Sequence, residues 1–400
     1  MARAILIGIS GYGRIHLGLA RAARPVGLEL VAAAVINRQE EALEVARLER
    51  EGCRIYPDYE SLLRHEAAEA DLCLIPTGIA WHERMTVAAL ASGLSVLVEK
   101  PLAGSVSEVQ AIAAAERAAP GRFVAVGFQD LYNPEVHAVK QHLLAGCIGR
   151  IERVRFLGLW PRPTAYFSRN RWAGRMAAEG VPVLDSVLSN AFAHFIMLGL
   201  FFAGPRAAEA ARLAKVDAVL WRTNAIETFD SGAVHAVSPD GVEFWFGASH
   251  ACATTREPEI VIEGSAGTLT WLHEREWRLE TSDGRHESRA IVDAHANRAA
   301  MMDAVRRRLT DPSVFVCGPE LAVAHTSLIE RIHQVATITA APGPVEIRNL
   351  AGIEGEVLCA PEAEARLQEA FARGALPDRL VSSVPSVDGH RSFGRPNVCG

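Results

Sequence analysis

The chain has 400 residues, 49% of them hydrophobic and 22% charged, an ordinary globular composition long enough for two domains with separate cores. The formal net charge is −6 and the 41 Lys and Arg residues are scattered, so no nucleic-acid partner is expected. Seven cysteines without a C-x-x-C pair and 14 histidines without an H-x-x-x-H pair argue for reduced thiols and against a metal site.

Met1 to Gly8 runs straight into a strand pattern and lacks the apolar region and cleavage site of a secretion signal. The longest apolar stretch, Ala191 to Ala203, is shorter than a membrane span and carries His194. These features predict a cytoplasmic protein without membrane contact.

Arg3 to Ile9 reads as a buried strand. A glycine-rich turn follows, then a helix rich in Leu and Ala to about residue 24. A second apolar run, Leu28 to Ile36, ends at Asn37-Arg38, and a helix is expected from about Gln39 to Glu51. Further strands are predicted at Asp71 to Ile75, Ser95 to Val98 and Arg122 to Val126. Apolar strands alternating with helices imply an α/β class, a doubly wound parallel Rossmann sheet.

After residue 128 the pattern changes. Strands are expected at 151–159, 213–222, 231–237, 242–249, 258–262 and 267–272, with helices at 134–146, 186–203 and 293–308. This is an α+β pattern with an open-faced, mostly antiparallel sheet. The tail is irregular apart from a short helix, Pro361 to Arg373, stopped by Gly374. The expected domains are therefore 1–128, 129–344 and a tail of unassigned role, 345–400.

Four features carry chemistry. The first is Gly11-Tyr12-Gly13-Arg14-Ile15-His16, preceded by Gly8 and Ser10, between a strand and a helix. Glycines there let backbone approach a pyrophosphate on the helix N-terminus. His16 stands where the third glycine of G-x-G-x-x-G belongs, and the plain alternative is a turn that serves only strand-to-helix packing. The second is Glu99-Lys100-Pro101, directly after a strand. A desolvated lysine there can donate to a substrate oxygen; the alternative is a surface Lys–Glu pair.

The third is the helix from Val187, apolar nearly all round except for Asn190 and His194, which share a face. They suggest a site wall, or else a core histidine satisfied by Asn190. Asp185 would lie opposite His194 on a continuous helix and reads as an N-cap, unless an irregular entry brings it into the cleft. The fourth is the loop with Tyr166, Arg169, Asn170, Arg171 and Trp172. Aromatic faces beside hydrogen-bonding groups suit a polyol; solvated loop residues are the alternative.

Taken in order, these pieces resemble the Gfo/Idh/MocA family, the glucose–fructose oxidoreductase and inositol dehydrogenase relatives. The resemblance rests on the Gly11/Gly13 turn, Pro76-Thr77 with His82, Glu99-Lys100-Pro101, Gly127-Phe128 followed by Asn133-Pro134, His194 with its apolar helix, and Gly264-x-x-Gly267-Thr268. It covers about residues 3–340. It implies that the second sheet commonly forms an oligomer interface and that Lys100 and His194 face the nicotinamide and the substrate. Pro76, Thr77, His82, Glu99, Lys100 and Gln129 join the glycine turn as candidate cofactor contacts. The family usually carries an aspartate four residues before the histidine, and here that residue is Asn190.

The expected activity is reversible hydride transfer between NAD(P) and a hydroxyl-bearing carbon of a sugar or cyclitol. His194 is the expected base and Lys100 the group that polarises the same oxygen. Tyr166, Arg169, Trp172, Asp185 and Asn190 are the expected substrate contacts. The alternatives are glycoside cleavage through transient oxidation, and a regulator that binds dinucleotide without catalysis. Asn37 and Arg38 end the second strand without a carboxylate, which favours NADP over NAD. Phe244, Trp245, Phe246 and Trp271 on an open sheet call for a cover, hence an expected homodimer or homotetramer with the tail lying across the partner.

Overall fold

Runs of Ile, Leu, Val and Ala between turn residues become strands buried on both faces. A computed structural model describes residues 1–377. Six strands, β1 (Ala2–Ile7), β2 (Leu28–Ala34), β3 (Arg54–Tyr56), β4 (Leu72–Ile75), β5 (Ser95–Val98) and β6 (Val124–Val126), pair in parallel in the order β3-β2-β1-β4-β5-β6. The order reverses between β1 and β4, so a crevice opens beyond the carboxyl ends of those strands. Helices α1 (Gly13–Ala23), α2 (Ala42–Arg50), α3 (Tyr59–Glu66), α4 (His82–Ala91) and α5 (Val106–Arg117) connect the strands. The sequence reading lacked β3, a three-residue edge strand with no fully buried side chain and so no apolar run to detect.

The second unit begins with α6 (Pro134–Leu144), β7 (Ile151–Leu159), a two-residue ladder of β8 (Ala177–Ala178) and β9 (Val181–Pro182), and α7 (Ala193–Phe202). Then come β10 (Lys215–Arg222), β11 (Ser231–Val237), β12 (Glu243–Ser249), β13 (Arg256–Gly264), β14 (Gly267–Leu272), β15 (Glu276–Thr281) and β16 (His286–Ala290). Helices α8 (Ala294–Arg308) and α9 (Pro319–Val335) and strand β17 (Ile338–Ala340) follow. The nine-stranded sheet has the order β16-β15-β14-β13-β7-β12-β11-β10-β17. It is mixed: β7 runs parallel to β12, and β10 to β17, while the other neighbours are antiparallel. The reading missed β15, β16, β17 and the 17-residue α9, although Leu321, Ala322, Leu328, Ile329 and Ile332 mark a buried stripe on α9.

One face of this sheet packs on α7. Gly158 on β7 is required there, because a Cβ would stand 2.3 Å from the Phe192 ring. Phe156, Phe244, Phe246 and Trp271 belong to this core, which continues into the parallel sheet. The opposite face is closed by the tail. After the ladder of β18 (Glu346–Asn349) and β19 (Glu356–Cys359), α10 (Pro361–Arg373) lays Ala363, Leu367, Ala370 and Phe371 on Leu157, Leu159, Val219, Trp221 and Trp245. Gly374 ends α10 in the left-handed region at φ 67°, as its sequence requires. The tail thus packs on the sheet of its own chain, where it covers Trp221 and Trp245. Among the described residues, no helix is long and apolar enough to cross a membrane.

Candidate active site

The glycine turn is built for close backbone approach. Gly8 (φ +88°) and Gly11 (φ +55°) hold conformations that other residues rarely adopt. A Cβ on Gly13 would lie 2.4 Å from the Gly8 carbonyl, whereas nothing lies within 4 Å of the Cβ position on Gly11. Helix α1 therefore packs directly on the turn after β1, and the bare side of the turn faces open space. Its N-terminus has no side-chain cap and no acidic residue in the first turn, which leaves the positive end of the helix dipole available. Tyr12 and Ile15 are partly exposed beside it.

His16, in the third glycine's place, is fully buried, and its Nε2 is 2.7 Å from Glu99 Oε1. The other Glu99 oxygen accepts from the Lys100 amide at 3.2 Å. A Cβ on Gly127 would stand 2.7 Å from the same carboxylate. Glu99 is thus an enclosed brace between α1 and the segment after β5. His82 is a second enclosed brace. It is buried, with Nδ1 3.0 Å from the Pro101 carbonyl and Nε2 3.0 Å from the Thr77 carbonyl. It ties the Pro76-Thr77 turn to the lysine segment and has no free nitrogen for a ligand.

Lys100 Nζ donates to the Asn190 carbonyl at 2.9 Å and to Asn190 Oδ1 at 3.0 Å. Asn190 Nδ2 donates to Asp185 Oδ1 at 2.9 Å, and Asp185 Oδ2 accepts from the Gly174 amide at 2.7 Å. Burial pushes the lysine below its ordinary range, opposed by the charges of Glu99 and Asp185. Burial raises the Asp185 carboxyl. This chain exists because the entry to α7 is irregular: residues 187–191 form a wide π-turn, capped by Ser186 and Ser189 reciprocally. Ser186 therefore takes the cap expected of Asp185, and Asp185 turns in beside Asn190.

His194 does not touch Asn190. Its Nδ1 lies 3.5 Å from Asp130 Oδ2, and its side chain is 12% exposed. Burial holds its pKa well below the ordinary histidine value, reinforced by Lys100, His273, Arg298 and His325. These influences favour the unprotonated ring.

Asp130, His273 and Arg298 escaped the sequence reading. Asp130 stands in the turn Gln129–Tyr132, against which α8 packs. Arg298 Nε on α8 donates to Gln129 Oε1 at 3.1 Å, and Tyr12 Oη donates to the same oxygen at 3.3 Å. Burial, with Glu99, pushes the Tyr12 hydroxyl up. Arg298 thus meets the glycine turn on neutral acceptors. A polar pair, Asn297-Arg298, on an otherwise ordinary helix was the one available signal.

At the end of β2 the geometry departs from expectation. Arg38 pairs with Glu49 on α2 at 2.6 Å. Arg14 holds Glu41 at 2.9 and 3.1 Å, and Ser10 also bonds Glu41. Asn37 Nδ2 donates to Ser10 Oγ at 2.9 Å and to Glu40 Oε2 at 3.1 Å. Glu41 therefore folds back to the glycine turn, and both Arg14 and Arg38 are paired.

On the substrate side, a cleft of about 740 Å³ is lined by Trp160, Arg162, Tyr166, Arg169, Glu257, His273 and Glu274, and by Gly352, Ile353 and Glu354 from the loop between β18 and β19. The Arg169 guanidinium stacks 3.8 Å from the Tyr166 ring centre and 5.4 Å from that of Trp172. Trp172 packs on Gly78, where a Cβ would lie 2.9 Å from its indole nitrogen. Asn170 accepts the amides of Trp172 and Ala173 and serves the loop itself, and Arg171 is exposed.

Residues 3–128 match the model of an oxidoreductase family with an NAD-binding Rossmann fold. Inositol 2-dehydrogenase 4 of Saccharopolyspora erythraea is 33% identical over 156 residues, which is 37% of this chain and 43% of that protein. Inositol 2-dehydrogenase of Serratia proteamaculans is 33% identical over 145 residues, 36% of this chain and 42% of that protein. The chain thus matches less than half the length of these curated relatives. Among solved structures, the inositol dehydrogenase homolog of Azotobacter vinelandii, complexed with NADH and myo-inositol, superposes with a TM-score of 0.68 at 20% identity, over 84% of this chain and 95% of that one. The WlbA dehydrogenase of Bordetella pertussis, in complex with NADH and UDP-GlcNAcA, gives 0.66 at 22%, over 84% and 96%. These likenesses establish the fold of both domains.

Proposed function

We propose that this chain, whose residues 3–128 match the model of the Gfo/Idh/MocA oxidoreductase family, transfers a hydride between a nicotinamide dinucleotide and a hydroxyl-bearing carbon of a sugar or cyclitol. The observation that carries the reading is the clamp of Lys100 on Asn190, four residues before His194. It brings Lys100 Nζ to the turn that leads into His194, close enough for the lysine charge to act on the imidazole.

The chain's residues fit the dinucleotide. The bare Gly11 turn and the uncapped α1 N-terminus suit its pyrophosphate, and Arg298, held by neutral acceptors beside Tyr12, adds a cation. Ser10, Asn37 and Glu41 suit a ribose, and Pro76 and Thr77 line the same crevice wall. When bound, the cofactor supplies the hydride acceptor or donor. In the oxidative direction, His194 Nε2 takes the hydroxyl proton while Lys100 Nζ donates to the oxygen that becomes the carbonyl. Tyr166, Arg169 and Trp172 offer stacked faces and donors to hold the ring in place.

We favour NAD, against the sequence expectation of NADP. That expectation needed Arg38 free and no carboxylate near, whereas Arg38 is paired with Glu49 and Glu41 lies at Ser10 and Arg14. A 2′-phosphate there would meet a like charge. Structural neighbours have been solved with NADH and with NADP, so the fold accommodates both. The names of the relatives support a polyol substrate.

Purified protein mixed with NAD or NADP and a panel of cyclitols, sugars and sugar acids, followed by nicotinamide absorbance, tests the proposal. Reduced cofactor with at least one polyol is expected. No turnover with any of them, together with no dinucleotide binding by calorimetry, would refute it.

A further inference from the structure

His194 has a carboxylate at hand, but from another element. Asp130 Oδ2 lies 3.5 Å from His194 Nδ1, while Asp130 Oδ1 accepts a hydrogen bond from Asn297 Nδ2 at 2.8 Å. The second bond fixes the plane of the carboxylate and leaves its other oxygen near the imidazole, short of a formed hydrogen bond. Asp130 and Asn297 are both buried. The Nδ1 atom is buried too and has no hydrogen-bond partner among the described residues. Asn190 is turned away, with its oxygen on Lys100 and its nitrogen on Asp185.

We propose that Asp130 is the positioning residue of the general base: it keeps the Nδ1 proton on His194 and stabilises the imidazolium formed when Nε2 takes the substrate proton. This rests on the reading of His194 as the base. The two polar partners of the cleft are then oriented separately, Lys100 by Asn190 and Asp185, His194 by Asp130 and Asn297.

Charge decides why a carboxylate is needed. The groups facing His194 are Lys100 after β5, His273 after β14, Arg298 on α8 and His325 on α9, and all of them disfavour its cation. An amide at 190 could orient a ring but could not offset that field. Asp130 is itself faced by His273, Arg298 and Asn297, which favour its ionised form, and by Glu274, which does not; burial is the largest influence and raises its pKa. A gap of 3.5 Å is long for a neutral ring and closes once the ring is charged, since charge-assisted bonds are shorter and stronger. Asp130 comes from the edge of the parallel sheet and His194 from a helix on the second sheet, so the contact also sets the base relative to the cofactor crevice.

The test is histidine NMR on isotope-labelled protein loaded with NAD, for wild type, Asp130→Asn, Asp130→Glu and Asn297→Ala, alongside kcat against pH. In Asp130→Asn the His194 titration is expected about one unit lower, the acidic limb of kcat should move the same way, and kcat should fall by about 10²-fold. KM should change far less. Asp130→Glu should recover part of the rate, and Asn297→Ala, which keeps the carboxylate, should shift the titration in the same direction by less. An unmoved His194 titration in both Asp130→Asn and Asn297→Ala overturns the proposal, as does a lost rate with an unmoved limb. If Asp130→Asn does not fold, Asn297→Ala alone decides. The titration needs no turnover, so a protein inactive on every polyol would sink the hydride-transfer reading and leave this measurement intact.

Discussion

Replacing Asn190 by aspartate would give the chain the family's usual residue, and the structure predicts that it would do harm. Asn190 Nδ2 donates to Asp185 Oδ1 at 2.9 Å. In Asn190→Asp that bond, worth about 1.5–3 kcal/mol because its acceptor is charged, becomes an approach of two carboxylates. At an effective dielectric of about 20, two like charges at this distance repel by about 6 kcal/mol. Lys100 Nζ, 3.0 Å from the same side-chain position, returns nearly the same in attraction. The charge effects therefore nearly cancel and the lost hydrogen bond remains, a deficit of about 2 kcal/mol when both carboxylates are ionised.

The pH dependence follows in sign. Burial already raises the Asp185 carboxyl and the Asn190 donor opposes that rise, so losing the donor lifts the folded pKa further above its unfolded value; the variant is closest to wild type in acid and loses stability as pH rises through the folded pKa. Thermal unfolding of wild type and Asn190→Asp from pH 4 to pH 8 measures this, with the difference in Tm expected to widen with pH. Activity should fall as well, since Lys100 gains a second charge partner and becomes a poorer proton donor. A variant as stable and as active as wild type at pH 8 would refute the reasoning, because Asn190 would then contribute nothing specific to the Asp185 contact.

Arg298→Ala should weaken dinucleotide binding by about 10- to 10²-fold, the loss of a charged hydrogen bond to phosphate; calorimetry checks it, and unchanged affinity would separate Arg298 from the cofactor. Arg38→Ala should leave the affinity for NAD unchanged and should not selectively impair NADP; a selective loss of NADP binding would restore the sequence expectation. Leu367→Ala, at a fully buried position on α10, should loosen the tail by about 2–5 kcal/mol. Hydrogen exchange across residues 361–373 should speed up, and KM should rise because Gly352, Ile353 and Glu354 wall the cleft, with NAD affinity unchanged. His194→Ala should lower kcat by about 10²-fold or more without weakening NAD binding, and a normal kcat would remove it from the chemistry.

Local patterns carried most of what the sequence revealed. The glycine turn, the strands from β1 to β6 except β3, and α10 with its terminating glycine were legible because each is written in consecutive residues. Lys100 and His194 stood out as polar residues among apolar sequence neighbours. What lay hidden depends on contacts across long stretches of chain. Asp130 and His194 are joined only in space, so nothing in either segment announces the other. Asp185 stayed open between a cap and the cleft because periodicity assumes a regular helix, and the π-turn at 187–191, capped by Ser186, supplies the irregular entry that sets Asp185 beside Asn190. The arginine at 38 was legible as a charge but not as a pair, since Glu49 takes it up a few turns along the neighbouring helix. The tail looked unassigned because its apolar stripe has meaning only against Leu157, Trp221 and Trp245, strands far earlier in the chain.

That late cover has a consequence during synthesis. About 115 residues of chain separate Trp245 on β12 from α10, and at roughly 5–20 residues per second the ribosome needs on the order of 6–23 s to make them. For that interval the outer face of the sheet, with Trp221 and Trp245 among its side chains, lacks the helix that finally shields it. Yield from cells should therefore respond to chaperone supply and growth temperature more than the stability of the finished protein would suggest, and a premature stop before Pro361 would leave a product that sticks to itself.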